Sequence, residues 1–175
     1  ERVACAARDA AVATATPWCN GGEPAAWPDG GEIGTSPGPG ELVRLARAAR
    51  CMPPRHPELP AAVGHAVFLR GRARAKAGGL DAASYASWYA ALIDLSLRMG
   101  GLGWRNVLCE TAFVARGGEG GPADGDLDAL AARWPAWPAR LARFLMQDPL
   151  RECRHRLGRE LDGLDPPAQH ELFAP

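Results

Sequence analysis

The sequence predicts an α/β protein: a sheet with flanking helices and a helical C-terminal extension. Three observations carry this. Short apolar runs, several with β-branched residues, fall at residues 11–15, 62–69, 104–109 and 111–115. Between them, residues 41–50, 72–77 and 84–99 read as helices, the first and last with apolar side chains at helical spacing. Strands alternating with helices are the pattern of a layered sheet. After residue 126 only helical segments remain, near 127–133, 137–147 and 151–164.

Taken in order, Glu1 to Arg8 reads as the end of an amphipathic helix, and Ala11 to Ala15 as a buried strand ended by Pro17. Residues 16–40 hold seven Gly and five Pro, which predicts a long loop without regular structure. Trp18 and Trp27 argue that this loop is packed. Glu41 to Arg50 is predicted helical, with Leu42, Leu45, Ala46 and Ala49 on one side. Pro53, Pro54, Pro57 and Pro60 make a stiff extended connector. Ala62 to Leu69 is the strongest predicted strand. A short helix over Arg72–Ala77 should close on Gly78-Gly79 in the left-handed conformation.

Ser84 to Met99 is predicted as a helix, with Tyr85, Trp88, Tyr89, Leu92, Ser96 and Met99 in one arc and Gly100, Gly101 and Gly103 as its stop. Trp104–Cys109 and Thr111–Ala115 read as two further strands, and residues 117–126 as a Gly-rich loop. The last helix carries Cys153, Leu157, Leu161 and Leu164 as one stripe, with Arg151, Arg154, His155 and Arg159 opposite. Four short strands make a small sheet, and a small sheet leaves an unpaired edge.

The length, 175 residues, suits one domain with a real core. Formal net charge is zero, so nothing global argues for nucleic acid or an anionic membrane as partner. Nineteen of the twenty basic residues are Arg, with Lys76 the exception. Together with the Ala, Gly and Pro content, this reads as the coding bias of a GC-rich genome. The five cysteines (Cys5, Cys19, Cys51, Cys109, Cys153) are widely spaced and odd in number. That argues against a disulfide framework or structural zinc and for reduced thiols in a cytosolic protein. His56, His65, His155 and His170 give no metal spacing. No apolar run approaches the ~18 residues that span a bilayer. The chain opens without Met, inside a helical pattern, which reads as a piece of a longer protein.

The order of several motifs carries the functional reading. Ala13-Thr14-Ala15-Thr16-Pro17-Trp18-Cys19-Asn20-Gly21-Gly22-Glu23 is a strand running into a loop. Ala62-Val63-Gly64-His65-Ala66-Val67-Phe68-Leu69-Arg70 is a strand ending in Arg, followed by Gly78-Gly79-Leu80-Asp81. Then come Asp94-Leu95-Ser96-Leu97-Arg98 and Gly103-Trp104-Arg105-Asn106-Val107-Leu108, continuing to Gly118. In this order and spacing the chain resembles the second half of the catalytic domain of family 2 glycosyltransferases, over roughly residues 1–150. Residues 1–118 resemble the C-terminal half of that GT-A-like (Rossmann-like) domain, so that its sheet is partial, and residues 119–175 a helical tail packed on it.

The resemblance implies a hexosyltransferase, bacterial and cytoplasmic or at the inner membrane surface. It would move sugar from a nucleotide-sugar donor to a glycan or glycolipid acceptor in polysaccharide biosynthesis. It also implies a divalent metal, Mn or Mg, in the complete enzyme. The family's metal-binding Asp-x-Asp lies on a strand before Glu1, so this chain alone is expected to hold no metal and to be inactive. Asp124-Gly125-Asp126 has the right letters but lies far downstream, where helix capping is the plainer reading. Of the acidic stretch that supplies the family's base only Asp94 remains. Asp94 is therefore the candidate base, able to take a proton from an acceptor hydroxyl. The competing reading is a solvated or structural pair with Arg98 at i+4. Arg116 stands where many members carry His, and could neutralise a leaving pyrophosphate without metal. The competing reading is surface charge at a strand end.

Gly64, Gly79, Asp81, Arg98 and Trp104 complete the candidate donor- or acceptor-binding set. The two glycines would admit close backbone approach to substrate, or serve turn geometry. Trp18, Trp27 and Trp104 could stack on sugar rings; core packing suits Trp104 better, and Trp134 and Trp137 are read as packing the tail. Two other readings stand beside the enzyme. One is a non-catalytic glycosyltransferase-like module that binds a sugar or a protein through an exposed sheet edge and the tail stripe. The other is an assembly module with Leu157, Leu161 and Leu164 as a homo-oligomer seam.

Overall fold

A computed structural model of the chain describes residue 3 and residues 6–21, 24–28, 36–64, 66–117 and 120–164. Cys5, Gly22, Glu23, His65, Gly118 and His170 lie outside the described residues. The architecture is mixed α/β: among the described residues there is a three-stranded mixed sheet, in the order β2-β1-β3, with six helices. A 3-10 turn, Ala6–Arg8, precedes β1 (Val12–Trp18). Helix α1 spans Pro39–Cys51, β2 Phe68–Leu69, α2 Gly71–Lys76, α3 Trp88–Gly101 and β3 Arg105–Phe113. Helices α4 (Asp126–Arg133), α5 (Trp137–Gln147) and α6 (Arg151–Asp162) follow.

Every residue of β1 is buried. It is the central strand, parallel to β3 and antiparallel to β2, so its apolar residues have no solvent face to alternate with. Pro17 does not end this strand, as the sequence suggested, but lies inside it opposite Cys109. The reason is which side lacks a partner. The Ala13 carbonyl accepts Arg70 N–H on the β2 side, and the Trp18 carbonyl accepts Val114 N–H on the β3 side. Odd positions of β1 thus turn towards β2, which pairs only Thr14 and Ala15. Pro17 lies beyond that ladder, where an absent N–H is harmless.

The predicted strand over Ala62–Leu69 shrinks to Phe68–Leu69. Ala61, Ala62 and Val63 are buried, but Ala62 N–H goes to the Ser96 hydroxyl at 3.0 Å rather than to a strand. Gly64 then turns the chain at φ +100°, a conformation glycine alone adopts freely. The proline connector takes the edge instead. Leu59 N–H donates to Asn106 O and Leu108 N–H to Pro57 O, both at 2.8 Å. The β3 edge is therefore covered rather than exposed.

Trp104–Cys109 and Thr111–Ala115 are one strand, not two, which leaves three strands where four were expected. The register against β1 jumps from Pro17–Cys109 to Trp18–Phe113, so β3 bulges there. Glu110, fully buried in the bulge, accepts the N–H groups of Arg55 at 2.5 Å and His56 at 2.8 Å. That carboxylate fastens the connector to the strand.

Two of the core clusters hold the helices in place. Trp18, Leu45, Met52, Leu108, Leu150 and Leu157 pack β1, β3, α1 and α6 together. Val63, Tyr85, Ile93, Leu97, Leu130 and Trp137 pack α3, α4 and α5. The stripe of Leu157, Leu161 and Leu164 faces this internal core, with Leu157 fully buried. Leu161 and Leu164 are partly buried against it, and burying a leucine as fully as Leu157 stabilises the fold by about 2 kcal/mol.

Candidate functional site

Asp94 sits on α3 in the run Ala90-Ala91-Leu92-Ile93-Asp94-Leu95-Ser96-Leu97, all of it buried. A carboxylate in such surroundings requires partners, and five donor groups from four side chains meet it. Oδ2 accepts from Arg98 Nε at 2.8 Å and lies 2.8 Å from a second nitrogen of the same guanidinium. Oδ1 accepts from the Trp134 indole N–H at 2.9 Å and the Tyr85 hydroxyl at 3.4 Å, with Arg133 Nε at 3.3 Å. The carboxylate is 0 % exposed. It is neither solvated nor turned away from Tyr85, as helical phase alone suggested.

Arg98 extends the network. Its guanidinium donates to Ala77 O and, at 2.7 Å, to Gly79 O. Those carbonyls belong to the turn that closes α2, where Gly79 N–H returns to Arg74 O and Gly78 N–H to Ala75 O. Both glycines have φ near +80°, as this left-handed cap demands. Two residues on, Asp81 accepts Ser84 N–H at 3.1 Å and pairs with Arg133 at 2.8 Å. Hydrogen bonds from Ser84 and Arg133 hold the Asp81 carboxyl below its ordinary pKa. Burial, then the charge of Asp94, raises the Tyr85 hydroxyl above its ordinary value. Asp81, with Asp94 behind it, raises Arg133.

Four of the seven predicted residues, Gly79, Asp81, Asp94 and Arg98, therefore meet in one cluster. Gly64 adjoins it: its carbonyl accepts the Trp88 indole N–H at 3.4 Å, from the first turn of α3. Trp104 and Arg116 lie off opposite ends of β3. Trp104 packs beside Leu95 and Met99. Arg116 is buried, and its backbone is clasped by Asn20, which accepts Arg116 N–H at 2.6 Å and donates to Arg116 O at 3.1 Å. This clasp joins the C-terminal ends of the parallel pair β1 and β3, the edge where open α/β sheets receive ligands.

Sequence reasoning missed Tyr85, Arg133 and Trp134 as members of the cluster. The one available signal was an acid within the largely apolar run Ala90–Leu97, which demands donors beyond Arg98 from elsewhere in the chain. Trp18 is corrected as a sugar-stacking residue, since it is fully buried with Arg154 over its ring at 6.0 Å. Trp27 packs partly buried against the same core.

Among the described residues no three His, Cys, Asp or Glu side chains gather. In Asp124-Gly125-Asp126, the Asp126 carboxylate is occupied by Ala86 N–H at 2.9 Å, Ser87 N–H and Ala123 N–H at 3.0 Å, and the Ser87 hydroxyl. Those hydrogen bonds, Ser87 foremost, lower its pKa. Asp126 ties the start of α4 to the start of α3; it makes no side-chain cap on its own helix, so the local capping expected from its sequence context gives way to a tertiary contact. Among the described residues no helix is long and apolar enough to cross a membrane. The chain matches no family model, no curated protein and no solved structure in comparison.

Proposed function

We propose that this chain is a glycosyltransferase-like, GT-A-type module that contributes sugar recognition and performs no proton transfer through Asp94. The observation that carries the second half of this reading is the saturation of Asp94. A general base must bring a free lone pair within reach of the acceptor hydroxyl. Both oxygens of Asp94 are already held by charged or polar donors, with none of the group open to solvent. The glycosyltransferase half rests on the order of the sequence motifs. It is supported by the convergence of the Gly78-Gly79-Leu80-Asp81 turn and the Asp94-to-Arg98 helix on one network. On this reading nucleotide-sugar transfer belongs to a complete GT-A enzyme. The ligands of such a unit would be a nucleotide-sugar and a glycan acceptor.

Calorimetric titration with UDP, dTDP and GDP, with and without Mn²⁺, tests the reading together with a sugar-nucleotide turnover assay. The expected result is a folded chain without turnover and without micromolar nucleotide binding. Turnover that Asp94→Asn abolishes, in a variant that remains folded, would overturn it. Micromolar nucleotide binding would show that the donor pocket lies within this chain.

A further inference from the structure

Charge is segregated along this neutral chain. Residues 137–159 hold six arginines against two carboxylates, Asp148 and Glu152, so this stretch is net +4 and the rest of the chain net −4. The stretch forms α5, the turn at Asp148, and most of α6. Helix α5 contains no acidic residue. Its Trp137, Leu141 and Phe144 pack inward, but Leu145 and Met146 project outward, 51 % and 87 % exposed. Beside them is a cavity of about 470 Å³ lined by Phe144, Leu145, Asp148, Arg151, Arg154 and His155.

The cations around it divide into two kinds. Arg154 is committed to the fold: it pairs with Asp148, donates to Pro24 O and Ala26 O, and covers Trp18. Glu152 is likewise shared between Arg156 and Arg159. The side chains of Arg140, Arg143, Arg151 and His155 have no hydrogen bond or ion pair among the described residues. Unpaired cations next to an outward apolar pair make two halves of one recognition surface.

We propose that the α5–α6 corner docks on an anionic phospholipid bilayer. Leu145 and Met146 would enter the boundary between headgroups and acyl chains. Arg143 and Arg151 would meet the surface charge, and a lipid phosphate would sit in the cavity at Arg151. An interfacial helix combines an apolar edge with a polar face rich in basic residues. A nucleic acid would use the arginines but would leave Met146 unused. The proposal is independent of the glycosyltransferase reading.

Co-sedimentation of the full chain with vesicles of phosphatidylcholine containing phosphatidylglycerol tests it, with phosphatidylcholine vesicles and duplex DNA as the other arms. Binding is expected to the anionic vesicles alone, and to weaken as salt rises. Each arginine neutralised should lower partitioning about 5-fold, so Arg143→Gln with Arg151→Gln should lower it about 25-fold. Leu145→Ser with Met146→Ser should lower it at least about 10-fold. All four side chains are exposed, so these variants should keep the native circular dichroism spectrum. Absence of vesicle binding, equal binding to neutral vesicles, or indifference to either pair of substitutions would overturn the proposal. DNA binding that matches vesicle binding and ignores Met146 would do the same.

Discussion

The indole N–H of Trp134, at the end of α4, donates to the carboxylate of Asp94 in the middle of α3 at 2.9 Å. Forty residues separate them, and the bond joins the sheet-flanking helix to the helical extension. A hydrogen bond to a charged group contributes roughly 1.5–3 kcal/mol. Trp134→Phe keeps the ring and removes the donor, so it should lower unfolding free energy by about 2 kcal/mol. Asp94→Ala should cost more, about 3–5 kcal/mol, because Arg98 and Arg133 lose their shared partner. The double variant should lose less than the two singles combined. Urea unfolding of the three variants measures this; strict additivity would mean that the contact carries no energy.

Tyr85 should titrate late. Its raised pKa comes from burial first and the Asp94 charge second. The chain has two tyrosines, Tyr85 and Tyr89, so Tyr89→Phe isolates the signal. Absorbance at alkaline pH should then give a midpoint above 10. The linkage follows in sign: the neutral hydroxyl is favoured in the fold. Its contribution is fully present below the unfolded pKa of about 10 and is lost as pH rises through the folded value. Alkaline unfolding should begin in that window, and Tyr85→Phe should move it upward.

The acid limb should depend on Asp126. Its depressed pKa arises from the Ser87 hydrogen bond and from backbone N–H groups of Ala86, Ala123 and Ser87. A depressed carboxyl contributes stability above its unfolded pKa, about 3.9. That contribution disappears as pH falls through the folded value. Below pH 4 the chain should therefore lose stability steeply, and Asp126→Asn should be less stable at neutral pH but flatter in acid. Asp81, also depressed, keeps some slope in that variant. An unchanged acid slope in Asp126→Asn would contradict the role assigned to the carboxylate.

The thiols should react in a fixed order. Cys51 is exposed, Cys19 and Cys109 are buried, and Cys153 is intermediate. Burial, then the negative charge of Glu110, raises the Cys153 thiol above its ordinary pKa, leaving less of the nucleophilic thiolate. In a Cys5→Ser background, maleimide should label Cys51 at least about 10-fold faster than Cys153. Raising the pH should speed Cys153. Mass spectrometry of timed samples reads the order directly.

Helices were the part of this fold legible from residue order. Pro39–Cys51, Trp137–Gln147 and Arg151–Asp162 are readable because apolar spacing acts over one or two turns; a proline opens the first two and Gly163 follows the third. Helix α3 was placed correctly at its centre, but it begins at Trp88 rather than Ser84. Asp126, forty residues on, takes the N–H groups of Ala86 and Ser87. The strands fared worse. Ala62–Val67 has a strand's composition, yet Pro57–Leu59 occupies the β3 edge and Ala62 bonds to Ser96.

Residue order alone set the alternation of helices and strands, the glycine cap after α2 and the Asp94–Arg98 pair. Each depends on neighbours within a few residues. Tertiary structure alone decided that Asp94 is buried, that Tyr85, Arg133 and Trp134 close around it, and that Leu157 serves the internal core. It also decided that Pro17 could remain within a strand. Those outcomes depend on which distant donor or apolar face reaches a residue, and helical spacing gives the direction of a side chain but not what it meets.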